Sequence, residues 1–207
     1  MNIKKILISH KTHQKYYVKR LSEEYITTEG IVSSTDIQSS KGTVITDKKK
    51  SLGMFEPSFL DFWETFERGP QIIQLKDIGL IVSKTGIAKD WNVVDAGAGT
   101  GSLCLALAKL CKKITAYDIK QKHLDIVKKN ATLCGITNIQ LKKGDVGKDL
   151  SEKNLDLITL DVPHPWEVLE KAEKNLKVGG YLVVYLTNLM QVKQFVDAAR
   201  NSTIHVN

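Results

Sequence analysis

The sequence is poor in cysteine, in long apolar runs and in repetition, and each shortage closes off a class of protein. Three cysteines in 207 residues (Cys104, Cys111 and Cys134) do not make a disulfide framework, and no pair has the spacing of a zinc site. Cys104 and Cys111 are seven apart and fall on one face of a predicted helix, so free, buried thiols are expected. No run reaches the roughly 18 apolar residues that a spanning helix needs. The start "MNIKKILISHK" is basic with a short apolar run, too short for a signal peptide and without a cleavage site, and it reads as a β-strand. A soluble, cytoplasmic protein is expected. The chain has no internal repeats or low-complexity tracts. Its 30 basic against 23 acidic residues leave a net charge of +7. That suits a polyanionic partner but does not by itself identify one.

What is present is enough apolar residue, 42% of the chain, for one sizeable core and a smaller second unit. Residues 1–55 carry short β-branched runs ("KKILIS", "KYYVKRL", "EGIVSS", "GTVITD") between polar and glycine punctuation, the pattern of a small β-rich domain, an antiparallel sheet or a barrel-like one. Lys48, Lys49 and Lys50 read as a turn tip, either solvated or touching an RNA backbone. The stretch "SLGMFEPSFLDFWETFERGPQ" reads as a linker entering a helix opened by Pro57 and Ser58, with residues 56–70 as the connection. Phe59, Phe62, Trp63 and Phe66 recur there at helical spacing, more in keeping with core than with a base-stacking platform.

Over 71–207 strands alternate with helices: "NVVDAGAGTG", "KITAYD", "NIQLKKGD", "LDLITLD" and "YLVVYL" as strands, with helices between, one of them "WEVLEKAEKNLKVGG" ending at its glycines. This alternation predicts an α/β, Rossmann-like fold with a mostly parallel sheet and helices on both faces. The final "STIHVN" reads as the start of a further strand, so the last strands of the domain are expected to lie outside these residues.

"VVDAGAGTGS" puts Gly97, Gly99 and Gly101 after an apolar strand and before a helix, where small residues let the backbone turn sharply against a ligand. The spacing is G-x-G-x-G with Asp95 ahead of it, and Ser102 stands where a dinucleotide site would have its third glycine. That favours S-adenosylmethionine, which has an ammonium, a ribose and an adenine but no pyrophosphate. Asp118 ends the second strand, where a carboxylate can accept ribose hydroxyls. Asp145 ends the third, where it could take the adenine amine, and Asp161 ends the fourth. Each acid alone could be a helix cap. Behind Asp161 comes "VPHPW", in which Pro163 and Pro165 restrict the backbone. Pro163, His164 and Trp166 form the candidate substrate-facing set; Trp166 either packs behind the turn or stacks on a base, and His164 either meets phosphate or is solvated.

With "DAGAGTGS", "AYD", "KGD" and "DVPHPW" in place, the chain resembles the class I methyltransferases. "RGPQIIQLKDIGLI" and "LDVPHPWEVLEKAEKNLKVGG" make it similar to the tRNA adenine-N1 methyltransferases, notably the archaeal ones, over nearly its whole length. Gln74 stands where an aromatic residue often follows the Gln-Ile-Ile run. The resemblance implies methylation of adenosine 58 in the tRNA T-loop, in archaeal members also of 57, by a homotetramer using S-adenosylmethionine and no metal. It implies that Asp118 and His123 lie beside the ribose, and that Thr100, Gly101, Ser102 and Leu103 cradle the methionine portion. It further implies that Gln71 lines the pocket and that Asp161 is the catalytic acid, also near the cofactor. Two other readings stay open: a methyltransferase of a small molecule such as a corrinoid precursor, and a non-catalytic RNA-binding subunit.

Overall fold

The computed structural model describes residues 3–69 and 71–206. Two units separate, residues 1–66 and 67–207.

In the first unit the chain runs through β1 (Lys5–Ser9), β2 (Lys15–Val18), β3 (Tyr25–Thr27), β4 (Gly30–Val32), α1 (Ser34–Gln38), β5 (Thr43–Ile45), β6 (Ser51–Phe55) and α2 (Phe59–Glu64). Four strands form an antiparallel sheet in the order β2-β1-β6-β5, and β3 pairs only with β4. Among the described residues this is an open sheet beside a hairpin, the sheet and not the barrel of the two forms expected. "SLGMF", at the end of the 1–55 domain where the chain leads into the linker, is a strand, because its alternate residues Leu52 and Met54 fill the same core as Leu7, Val18 and Val44. Ser58 and Asp61 form a reciprocal capping box at the start of α2. Of the aromatic stripe only Phe66 is buried; Phe59, Phe62 and Trp63 are half-buried.

The second unit contains α3 (Leu75–Thr85), β7 (Asn92–Ala96), α4 (Ser102–Ala108), β8 (Lys113–Asp118), α5 (Gln121–Cys134), β9 (Ile139–Lys143), α6 (Val146–Asp149), β10 (Leu155–Leu160), a 3-10 turn (Pro165–Val168), α7 (Leu169–Asn175), β11 (Leu176–Val184) and α8 (Leu189–Ala199). All its strands are parallel, in the order β11-β10-β7-β8-β9. The central strands are apolar on both faces, as a sheet covered by helices on both sides requires. Val94, Ile158 and Leu160 are almost fully excluded from solvent. From β7 the chain winds outward through β8 and β9, then returns to place β10 on the other side of β7. The reversal opens a crevice between the carboxyl ends of β7 and β10, the place where ligands enter sheets of this kind.

Three local expectations change. The glycines of "KVGG" do not end a helix: α7 stops at Asn175 and β11 begins at Leu176. Cys111 lies beyond α4, although both it and Cys104 are buried free thiols. Residues 203–206 form no strand.

Candidate active site

β7 and β10 run in register, with Asp95 opposite Thr159 and Ala96 opposite Leu160. Beyond that pair the two chains separate into the glycine turn and the proline turn. Asp161 donates its N–H to the Ala96 carbonyl at 2.8 Å, one step past the end of β10. Gly97 has φ +82°, and a Cβ there would lie 2.0 Å from the Asp161 carbonyl oxygen. Glycine is therefore demanded twice, by conformation and by the approach of the neighbouring backbone. The N–H groups of Gly97 and Ala98 both donate to the Tyr117 carbonyl, which pins the turn to β8.

The cleft above this junction is lined by Gln71, Asp95, Gly97, Gly99 and Thr100, with Ser102, Leu103 and Asp161 completing the expected group. Ile72, Ile73 and Ala98 also line it. Gly101 lies just behind, as the left-handed N-cap of α4. Asp118 and His123 do not line the cleft but are wired to it. The Asp118 carboxylate accepts from Gly99 N–H at 3.0 Å and Lys120 N–H at 2.9 Å, and lies 2.9 Å from His123 Nδ1. Asp145 is the N-cap of α6, accepting from Gly147 N–H at 2.9 Å, so a cap explains its place at the end of β9. Pro163 and His164 lie outside the lining, and both are exposed. Trp166 packs against the cluster of Leu169, Phe195 and Ala199, with its ring 5.3 Å from that of His164.

Among the described residues no lysine or arginine lines the cleft, yet two carboxylates do. Burial pushes the Asp95 carboxyl up to about 7, and the charges of Asp161 and Asp118 push the same way, against hydrogen bonds from Thr159 and Cys104. Burial also raises Asp161. Such a site favours a ligand that brings its own positive charge.

Several contributors carried no sequence signal. Thr159 donates to Asp95 from the adjacent strand, which only the β7–β10 register reveals. Asn130 on α5 binds the Thr100 carbonyl at 2.9 Å. Gln191 on α8 donates to the Pro163 carbonyl at 3.4 Å while accepting from Thr187 and Asn188, tying the proline turn to the loop after β11. Among the described residues no cluster of histidine, cysteine and acids could hold a metal.

Comparison with known proteins agrees with this geometry. A family described as "Methyltransferase domain" matches residues 87–203. The tRNA (adenine(57)-N(1)/adenine(58)-N(1))-methyltransferase TrmI of Methanocaldococcus jannaschii is 30% identical, over 89% of this chain and 76% of its own length. The tRNA (adenine(58)-N(1))-methyltransferase TrmI of Thermus thermophilus is also 30% identical, over 76% of this chain but 64% of its own length, so the chain spans about two thirds to three quarters of these relatives. Two solved structures share the fold. A SAM-dependent O-methyltransferase from Thermotoga maritima has a TM-score of 0.83 at 23% identity, covering 96% of this chain and 77% of that one. The tRNA (m1A58) methyltransferase TrmI from Aquifex aeolicus has 0.79 at 19% identity, covering 96% and 80%. The chain therefore belongs to the methyltransferase-domain family and, within it, to the TrmI family of tRNA (adenine-N1)-methyltransferases.

Proposed function

We propose that this protein transfers the methyl group of S-adenosylmethionine to N1 of adenosine 58 of tRNA, with adenosine 57 as a second target, and that Asp161 is its catalytic residue. The carrying observation is the cleft at the β7–β10 switch point, with two carboxylates and no basic side chain in its lining. These groups fit S-adenosylmethionine, whose ammonium and sulfonium supply the missing positive charge; they do not suit a pyrophosphate. When bound, that cofactor provides an electrophilic methyl group on a charged sulfur.

The chemistry asked of the protein is then mainly positioning and electrostatics. Adenine N1 already has a lone pair, so no residue needs to remove a proton from it first. As N1 becomes methylated the purine gains positive charge and its amine becomes a stronger donor. The Asp161 carboxylate accepts a hydrogen bond from that amine, which orients the ring and stabilises the growing cation. Bonds of this charged kind contribute about 1.5–3 kcal/mol. The Asp161 N–H is tied to Ala96 and the Pro163 carbonyl to Gln191, so the turn that carries the acid is held at two points. Because N1 lies on the Watson–Crick edge, the base must leave the folded tRNA to reach the cleft.

The test is Asp161→Ala. Methylation of tRNA should fall by roughly 10² or more, as expected when a transition-state stabiliser is removed, while S-adenosylhomocysteine still binds in calorimetry. Normal turnover would refute the role given to Asp161. We also infer that the protein acts in the cytoplasm as a homotetramer, by likeness to its family; light scattering of the purified protein tests the assembly. Among the described residues no helix is long and apolar enough to cross a membrane.

A further inference from the structure

Residues 67–69 and 71–73 have no regular secondary structure, yet they are held to the glycine turn by side chains. Asn130 lies on the inner face of α5, 2% exposed. Its Nδ2 donates to the carbonyls of Thr100 at 2.9 Å and Glu67 at 3.2 Å, and its Oδ1 accepts from Glu67 N–H at 2.9 Å. Gly69 packs closely on the same region, since a Cβ there would lie 3.2 Å from Ile126 Cδ1 and 3.4 Å from Thr100 Cγ2. Farther along, the Ser102 hydroxyl donates to the Ile73 carbonyl at 2.8 Å. Between these two latches the chain supplies Gln71, Ile72 and Ile73 to the cleft wall.

Among the described residues the Asn130 amide bonds only to main chain, in two segments that lie outside the sheet and helix ladders. Buried backbone groups need partners, and here one amide serves two segments at once. An apolar residue of the same size would hold α5 in place equally well by packing but would deprive the buried Thr100 carbonyl and both backbone groups of Glu67 of this partner. We propose that Asn130 is a positioning residue for the cofactor cleft, registering residues 67–69 and 71–73 against the glycine turn so that both face one ligand. The proposal rests on the methyltransferase reading given above. A loosened wall must be reordered by the ligand, which weakens cofactor binding; once the cofactor saturates the site, the rate of transfer is restored.

The test compares Asn130→Ala, the isosteric Asn130→Asp and, as a control, Lys129→Ala, which removes an exposed ion pair to Glu67 outside the cleft. Titration calorimetry with S-adenosylhomocysteine should show Kd raised about tenfold or more in Asn130→Ala, the scale set by unpaired buried backbone groups. Asn130→Asp keeps the acceptor for Glu67 N–H and should fall between, and Lys129→Ala should stay near the parent. At saturating cofactor, kcat for tRNA should change little, and the amides of residues 67–69 and 71–73 should exchange faster in ligand-free Asn130→Ala. If Asn130→Ala does not fold, Asn130→Asp decides. A lowered Tm with unchanged Kd would overturn the proposal, leaving Asn130 an ordinary core residue. Failure of the parent itself to bind S-adenosylhomocysteine would instead overturn the methyltransferase reading, and this inference with it.

Discussion

Asp95 stands at the end of β7 almost without solvent contact, facing Thr159 on β10 and Cys104 on α4, with the carboxylates of Asp161 and Asp118 nearby. Its carboxyl holds a proton to about pH 7 in the native state, whereas an unfolded aspartate releases it near pH ~3.9. Between those values the native protein binds more protons than the unfolded one, so stability falls as pH rises across that window and levels off above it. The ligand-free protein should therefore melt at a lower temperature at pH 7 than at pH 5, and Asp95→Asn should flatten that slope. A cationic cofactor favours the ionised form, so its Kd should tighten from pH 6 to pH 8 in the parent; a pH-independent Kd would remove Asp95 from the account. Gly97→Ala is a harsher change. The added methyl meets a carbonyl whose own residue is tied to Ala96, so a loss of roughly 2–4 kcal/mol is expected in urea unfolding, together with loss of cofactor binding. Acids that follow apolar runs were legible at this scale, and Asp95 and Asp161 do meet at one cleft. Asp145 looks the same in sequence, and its side chain caps α6. Asn130 and Thr159 could not be read at all, because their partners are distant backbone and a neighbouring strand.

At the scale of elements, alternation of strand and helix beyond residue 70 was legible because buried parallel strands are continuous apolar runs, and glycines end α3 and α5. The glycines of "KVGG" misled. Leu176 pairs with Leu155, and Tyr181 with Leu157, so β11 carries extra residues between two ladder positions. Those residues, with Val178 fully exposed and Gly179 at φ +79°, are the excursion the glycines serve. A helix stop and a strand irregularity use the same residue type, and only pairing tells them apart. Gly135 allows a clean test of the cap. It ends α5 at φ +66°, and a Cβ added there would meet nothing within 4 Å, so Gly135→Ala bears only the conformational cost, about 1–2 kcal/mol. Urea titration should show a lower midpoint with the same slope. A loss as large as that of Gly97→Ala would mean that crowding, not φ, governs both sites.

The change of pattern near residue 70 revealed two units, but not that the first is an open sheet, because antiparallel strands read alike whether or not a barrel closes. At the scale of the molecule, charge adds a constraint on the proposed binding of tRNA. The chain carries +7, yet its cleft is lined by acids and no bases. The cleft can accept a neutral base, but it repels phosphate. Attraction for the tRNA backbone must then come from lysines elsewhere on the surface, where contacts exchange with salt. Neutralising about four phosphates would reduce affinity roughly 10²-fold between ~50 and ~200 mM salt, through release of counterions. The buried acids of the cleft are screened far less, so cofactor affinity should change little over the same range. Filter binding of tRNA and calorimetry of S-adenosylhomocysteine, run in parallel, separate the two. A tRNA affinity indifferent to salt would mean that the basic surplus is not what holds the RNA.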